Sequence, residues 1–170
     1  MNRREVQAVA ETTAGIHVMF IDVLDDDGAS AVGQVFLEPT DTRGPRQPAR
    51  HELGTTDTLR ALWASPSGAL WVGSADGFVA TTATVPWTTP VAPDYRAFVG
   101  PPWHVTALPL MRGNGLRPNI DLLWGTADDD VYVGAYGGHI YHWNGSDWTQ
   151  SFEGAGGAGD LGAFIFLVGD

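Results

Sequence analysis

The sequence predicts an all-β fold built from repeated four-stranded sheets, and three observations lead to this prediction. Seven Trp and 22 Gly residues in a chain of 170 favour many short strands joined by tight turns over long helices. One segment of the chain recurs without a gap 61 residues further on, so that Leu62 aligns with Leu123. The second copy also divides into four short strands separated by turn residues.

The repeat carries bulky residues at matched positions. The segment LWASPSGALWVGSADGF begins at Leu62 and aligns with LWGTADDDVYVGAYGGH, which begins at Leu123. The identical pairs are Leu62 and Leu123, Trp63 and Trp124, Val72 and Val133, Gly73 and Gly134, and Gly77 and Gly138. Further along, Trp87-Thr88 aligns with Trp148-Thr149. Because Trp is rare, its recurrence at matched positions indicates an internal structural repeat.

The second copy predicts the anatomy of one repeat unit. Its predicted elements are, in order, an apolar run at Leu122–Gly125, a polar turn at Thr126–Asp130, a strand at Val131–Val133, a positive-φ turn at Tyr136–Gly138, a strand at His139–Trp143, a type I′ hairpin turn at Asn144–Gly145 and a strand at Asp147–Phe152. Four strands within about 40 residues form one blade of a β-propeller. Such a sheet buries both faces only when copies stack on one another.

The predicted domain organisation is one repeat domain over residues 1–170. Its parts are N-terminal strands completing a blade (1–54), a blade with an insertion at 89–118 (55–117), a second blade (118–154) and the first strand of a closing blade (155–170). In the first part, Ile16–Leu24 and Ala31–Leu37 are predicted strands around the turn Asp25–Gly28. In the last part, Leu161–Phe166 has the apolar character of a first strand.

About three blades are fewer than the four to eight that close a ring. We therefore expect either two copies assembled into a six-bladed ring or a piece of a longer protein. The number of blades in the closed ring stays open at this point.

The second copy also resembles a known family of repeats. The run WGTADDDVYVGAYGGHIYHWNGSDW is similar to propeller repeats of bacterial proteins from high-GC genomes, with the pattern W-G-x4-D-V-[WY]-x-V-G-x2-G-x-I-x-H-W-[ND]-G-x2-W. The chain has one residue fewer before the first shared Gly. The matching residues are Trp124, Gly125, Asp130, Val131, Tyr132, Gly134, Gly138, Ile140, His142, Trp143, Asn144, Gly145 and Trp148.

The first copy departs from this pattern, since Ala64 replaces the Gly and Thr81–Thr84 lacks the hairpin motif. The chain is more distantly similar to tectonin-type lectin propellers. The resemblance implies a binding scaffold, and it leaves the partner open because such repeats serve unrelated partners.

Charge and composition exclude several classes of function. The net charge of −11 argues against nucleic-acid binding, which needs clustered basic residues. Residues 118–170 contain eight acidic residues and no Arg, so they either attract a basic partner or serve only for solubility. The chain has no Cys, and no run of 18 apolar residues or leader peptide is evident. We expect a cytoplasmic protein without a membrane contact.

Six residues are candidates for partner binding: Asp128, Asp129, Asp130, Tyr136, Trp103 and His104. The three Asp residues could hold Ca²⁺, but the aligned Ser67–Ala69 has no carboxylate, which favours a solvated acidic turn. Trp103 in the insertion and Tyr136 at a turn are freer to be exposed. The four Trp residues that recur with the repeat are expected in the core: Trp63, Trp124, Trp143 and Trp148.

No motif indicates a catalytic, metal or cofactor site. His139 and His142 are three apart on a predicted strand and point to opposite faces, so they cannot share one metal unaided. The glycines of Gly154–Gly159 follow a strand but open no helix, which favours a flexible loop over a dinucleotide site. No G-x-S-x-G motif is present, so hydrolase activity is unsupported.

The sequence therefore predicts a non-enzymatic binding module that presents an acidic surface to a basic protein partner. A cytosolic inhibitor or immunity protein that neutralises a basic toxin would fit the charge. The alternative is a lectin-like propeller that binds glycans through aromatic turns, with one similar site per blade.

Overall fold

In the computed structural model the described residues are 3–24, 31–38, 49–87, 94–98, 101–111 and 115–153. They form thirteen strands and one short 3₁₀ turn at Tyr136–Gly138. The strands are β1 (Arg3–Thr12), β2 (Gly15–Val23), β3 (Ala31–Glu38), β4 (Arg50–Thr55), β5 (Leu59–Ala64), β6 (Leu70–Ser74), β7 (Phe78–Thr81), β8 (Arg96–Ala97), β9 (His104–Ala107), β10 (Ile120–Ala127), β11 (Asp130–Ala135), β12 (His139–Trp143) and β13 (Trp148–Phe152).

The strands form three antiparallel sheets. Sheet A has the order β1-β2-β3-β4-β8, sheet B has the order β5-β6-β7-β9 and sheet C has the order β10-β11-β12-β13. The predicted all-β class is confirmed. The predicted strand Leu161–Phe166, the turn Asp25–Gly28 and the glycine loop Gly154–Gly159 lie outside the described residues.

The N-terminal strands follow from the alternation of side chains. In β2, residues 15, 17, 19 and 21 are buried, whereas the residues between them are more exposed. The predicted strands Ile16–Leu24 and Ala31–Leu37 are confirmed as β2 and β3, which pair along their whole length. β1 was not predicted. No residue of this strand is buried, and its largest apolar residues, Val6 and Val9, are 59% and 58% exposed, so the sequence carries no pattern of one buried face.

Sheets B and C have the same register. Leu62 pairs with Val72 in sheet B, and Leu123 pairs with Val133 at the matched position of sheet C. A register shift follows the first residue of β5 and also the first residue of β10. Every Cα pair between β5 and β6 therefore has a counterpart 61 residues further on, between β10 and β11.

The two sheets differ in how their fourth strand is supplied. Trp148 begins β13, but its aligned residue Trp87 lies in no strand, and the fourth strand of sheet B is β9. Pro86 precedes Trp87 and has no N–H to donate to a sheet, which disfavours a strand there. The Trp87 ring instead packs edge-on against Trp71 and Trp143, with ring centroids 5.5 and 5.4 Å apart.

The predicted type I′ turn at Asn144–Gly145 is wrong, although a hairpin does form there. Trp143 pairs with Trp148, so the loop contains four residues. Gly145 has a φ of +88°, whereas Asn144 does not have the positive φ that a type I′ turn needs. The Asn144 Oδ1 instead accepts hydrogen bonds from the backbone N–H groups of Ser146 and Asp147, both at 3.0 Å. The positive-φ turn at Tyr136–Gly138 is confirmed, with φ of +78° at Gly137 and +80° at Gly138.

Sheet B lies between the other two sheets. One face shares a buried cluster with sheet A, formed by Met19, Val35, Leu53, Leu59, Val72, Phe78, Ala80 and Val105. The other face shares a buried cluster with sheet C, which includes Ala61, Trp71, Val79, Ile120, Leu123, Val131, Val133, Tyr141 and Trp143. Every residue of β6 and β7 is consequently buried, whereas no residue of β13 is.

Glycines allow the sheets to approach closely. A Cβ atom on Gly73 would lie 2.4 Å from the Cγ2 of Ile120, and one on Gly33 would lie 2.2 Å from the Cγ of Leu59. Ile120 and Leu59 are the first residues of β10 and β5. Each therefore fills a space that the preceding sheet leaves open by having no side chain there.

We expect Gly73→Val to lower the free energy of unfolding by about 1–3 kcal/mol, because the added side chain overpacks the contact with Ile120. Thr149→Val, on an exposed position of β13, is the matched control and should change stability by less than about 0.5 kcal/mol. Urea unfolding followed by Trp fluorescence measures both variants. Equal effects of the two substitutions would contradict the close approach of sheets B and C.

Candidate functional site

Three turns of sheets B and C lie side by side and define a surface that we name the acidic end. It comprises the turn Ser65–Ala69 between β5 and β6, Asp128–Asp129 between β10 and β11, and Asn144–Asp147 between β12 and β13. The Oγ of Ser67 lies 2.6 Å from the Oδ2 of Asp128. The Cβ of Asp129 lies 3.0 Å from the position that a Cβ would take on Gly145. The three turns are thus in contact.

Asp128 connects the two sheets. Its Oδ2 accepts the hydrogen bond from Ser67, and its Oδ1 accepts a longer one from the Trp71 Nε1–H at 3.4 Å. Its backbone carbonyl accepts a hydrogen bond from the Trp143 Nε1–H at 3.1 Å. Asp128 therefore fixes the turn against the buried Trp residues of both sheets.

Asp130 is held by its own sheet. Its Oδ2 accepts a hydrogen bond from the Thr126 hydroxyl, and its Oδ1 lies 2.7 Å from the His142 Nε2. The hydrogen bond from Thr126, followed by that from His142, lowers the pKa of Asp130 below its usual value. The His142 ring stacks on Tyr132 with ring centroids 4.2 Å apart, on the face of sheet C away from sheet B. Asp130 thus belongs to this face.

The exposed carboxylates of the acidic end are those of Asp129 and Asp147. Among the described residues, Asp129 has no hydrogen-bond or ion-pair partner, and Asp147 accepts a hydrogen bond from the neighbouring Ser146 hydroxyl at 3.2 Å. Both are carried by turns whose flanking strands pair with each other in sheet C. Their charges are therefore available to a partner.

The other predicted binding residues are not brought together with them. Tyr136 is 43% exposed and follows β11, so six residues of extended chain separate it from Asp130, about 20 Å. Trp103 is half-buried and packs against the cluster between sheets A and B. His104 is half-buried as the first residue of β9, where it pairs with Thr81. Of the six predicted residues, only Asp128 and Asp129 belong to the acidic end.

The prediction that the recurring Trp residues lie in the core is correct for three of them and wrong for Trp124. Trp143 is buried, and Trp63 and Trp148 pack against the cluster between sheets B and C. Trp124 is 38% exposed, because it lies on the face of sheet C that points away from sheet B. The aligned Trp63 lies on the face of sheet B that sheet C covers.

An aromatic row crosses the face of sheet A that points away from sheet B, and the sequence did not predict it. The rings of Phe36, His51 and Phe98 stack in turn, with centroids 4.5 and 4.0 Å apart, and Phe20 meets Phe36 edge-on at 5.8 Å. The Arg4 guanidinium lies 5.3 and 5.4 Å from the Phe20 and Phe36 rings. Four of these residues lie on four different strands and Phe98 follows β8, so no local pattern reveals the row.

A shallow pocket adjoins this row. His51, Phe98, Gln34, Asp94 and Arg96 are among the residues that line it, and its volume is about 180 Å³. Sites for drug-sized ligands have volumes of about 300–1,000 Å³. The pocket is therefore large enough for a small group only.

A buried polar cluster in sheet A has the atom order of a hydrolase triad. The His17 Nδ1 lies 2.7 Å from the Glu52 Oε2, and its Nε2 lies 2.8 Å from the Thr12 Oγ1. The Thr12 Oγ1 also accepts the Ala14 N–H at 3.2 Å, which closes the turn between β1 and β2. None of the three residues lines the pocket described above. We interpret the cluster as a clamp that holds this turn on sheet A.

Asp57 is a buried carboxyl between sheets A and B. Burial is the largest cause that raises its pKa to about 6, and the nearby Asp76 charge adds to it. Because its folded pKa is raised, the contribution of Asp57 to stability is greatest when it is protonated and declines as the pH rises through about 6. Its backbone carbonyl accepts a hydrogen bond from the Gly33 N–H at 3.0 Å, which indicates a structural position.

Comparison with known proteins gives no further constraint, since no protein-family model matches this chain and no curated protein is significantly similar to it. Among the described residues, no group of three or more His, Asp or Glu side chains is placed to hold a metal ion. The same part of the chain contains no helix with the length and apolarity needed to span a bilayer.

We expect Asp128→Ala to lower the free energy of unfolding by about 1–2 kcal/mol, because the Ser67 hydroxyl and the Trp71 indole lose their acceptor. Asp129→Ala removes the same charge from the adjacent residue and is the control, with an expected change of less than about 0.5 kcal/mol. Thermal and urea unfolding measure both. If Asp128→Ala were as stable as Asp129→Ala, the carboxylate of Asp128 would not connect the two sheets.

Proposed function

We propose that the chain is a non-enzymatic binding module of β-propeller type that presents its acidic end to a basic protein. The observation that carries the proposal is the pair of exposed carboxylates, Asp129 and Asp147, on two turns in contact. Asp128 holds one of these turns through hydrogen bonds from both neighbouring sheets. A rigid pair of charges loses little conformational entropy on binding and is therefore suited to recognition.

The stacking of the sheets supports a propeller-like arrangement. The first strands of the sheets lie next to one another, with β5 packed between β1 and β10. Sheets B and C share one register, and neighbouring strands are antiparallel in all three sheets. The resemblance of residues 124–148 to propeller repeats points to the same arrangement. Sheets A, B and C would then be three blades, completed by a second copy or by a further part of a longer protein.

The charge of the chain supports a basic partner. The net charge is −11, and long-range attraction to a chain of this charge accelerates encounter with a basic protein. A cytoplasmic inhibitor or immunity protein directed against a basic toxin would use the acidic end in this way. The partner would meet the turns while the faces of the sheets stay packed.

A glycan-binding function is the second candidate, favoured by the aromatic row on sheet A. The stacked rings of His51 and Phe98 border the small pocket together with Gln34 and Arg96. Aromatic faces stack on sugar rings and polar groups at the rim hydrogen-bond hydroxyls. Such binding would be insensitive to salt, which distinguishes it from binding at the acidic end.

The two candidates separate in a binding experiment with immobilised protein and a lysate of the source cell. We expect a basic protein, identified by mass spectrometry, to be retained at about 50 mM NaCl and released at about 500 mM, because salt screens exposed charges. The double variant Asp129→Asn, Asp147→Asn should lose at least about tenfold in affinity for it.

Glu153→Gln is the control variant, since it removes an exposed charge outside the acidic end. It should bind like the unchanged protein. Retention that is indifferent both to salt and to the two Asp substitutions would contradict the proposed function. Retention of a lysate component that is lost in Phe98→Ala and is competed by free sugars would favour the glycan-binding candidate.

A further inference from the structure

The outer face of sheet C repeats the surface with which sheet B receives sheet C. On sheet B this surface consists of Ala61, Trp63, Trp71, Gly73, Val79 and Thr81. The residues in the same register on the outer face of sheet C are Leu122, Trp124, Tyr132, Gly134, Ile140 and His142. Both sets combine apolar and aromatic side chains around one glycine. The outer face of sheet C therefore has the composition of a surface that receives another sheet.

The glycine in each set marks the position over which the next sheet begins its first strand. Ile120, the first residue of β10, occupies the space over Gly73. Leu59, the first residue of β5, occupies the space over Gly33 of sheet A in a similar way. Gly134 is the counterpart of Gly73 and is itself buried. An apolar residue at the start of a further strand would be accommodated over Gly134.

The chain that follows sheet C has the sequence of such a strand. Leu161–Val168 is apolar except for Gly162, and Leu161 follows Ile120 by 41 residues. β13 ends at Phe152, which pairs with Ile140, so the chain leaves sheet C at the edge where β10 begins. To return from β13 to the level of β10, the chain must cross three strand spacings, about 14 Å. The seven residues 154–160 can span about 25 Å.

We infer that Leu161–Val168 docks on the outer face of sheet C as the first strand of a fourth sheet, with Leu161 over Gly134. The inference rests on the propeller-like arrangement of the proposed function and is independent of the basic partner. It covers Trp124 and Tyr132, so glycans would not stack on these two rings.

Disulfide trapping in the full chain tests the inference directly, because the natural sequence contains no Cys. The Cβ of Ile120 lies 3.2 Å from the position of a Cβ on Gly73, close to the roughly 3.5–4.5 Å of a disulfide. The double variant Gly73→Cys, Ile120→Cys is therefore the reference. We expect Gly134→Cys, Leu161→Cys to form an intrachain disulfide under mild oxidation, to at least about half the extent of the reference.

Ser146→Cys, Leu161→Cys is the matched control, since Ser146 lies at the acidic end, away from Gly134. It should form little intrachain disulfide. Equal trapping of both pairs, no trapping of the Gly134 pair, or trapping only between chains would each overturn the inference, the last in favour of a second copy on this face.

Hydrogen exchange gives a readout that does not depend on introduced cysteines. Leu161→Asp should raise the exchange rates of β10 amides at least about tenfold, whereas Asp160→Asn should leave them unchanged. Unchanged exchange in both variants would overturn the inference. Loss of partner binding in the Asp129→Asn, Asp147→Asn protein concerns the acidic end alone, so the two proposals fail separately.

Discussion

The burial of sheet B on both faces is the constraint on which the rest of the structure depends. Trp71 and Val79 face sheet C, while Val72 and Ala80 face sheet A. A sheet packed in this way satisfies its backbone groups within its own ladder and leaves its side chains free to be apolar or small. Gly73 shows most clearly how closely sheets B and C pack, because a single Cβ there would collide with Ile120.

This packing also determines what the turns can do. The Asp128 carboxylate accepts hydrogen bonds from Ser67 and from the buried Trp71. It therefore positions the acidic end, whereas the carboxylates of Asp129 and Asp147 are the ones exposed to a partner. Asp129 follows Asp128 on this anchored turn, and Asp147 lies on the adjacent turn, which is in contact with it. The proposed recognition of a basic partner therefore follows from the stacking of sheets B and C.

Much of sheet C could be predicted from the sequence, because glycines and Trp residues mark its turns and faces locally. Other features depend on distant segments and gave no local signal. Pro86 disfavours a strand at Trp87, but a distant segment, β9, supplies the fourth strand of sheet B instead, and nothing near Trp87 indicates this. Trp124 and Trp63 occupy matched positions, yet they differ in exposure because they lie on different faces of the stack. The contact between Ser67 and Asp128 required the register of two sheets to be known.

Native-state hydrogen exchange tests the central claim, the two-sided burial of sheet B, most directly. The amides of β6 and β7 should exchange slowest, with opening free energies equal to that of global unfolding, because every residue there is buried. The amides of β13, none of whose residues is buried, should exchange at least about a hundredfold faster. Exchange of β6 as rapid as that of β13 would contradict the account.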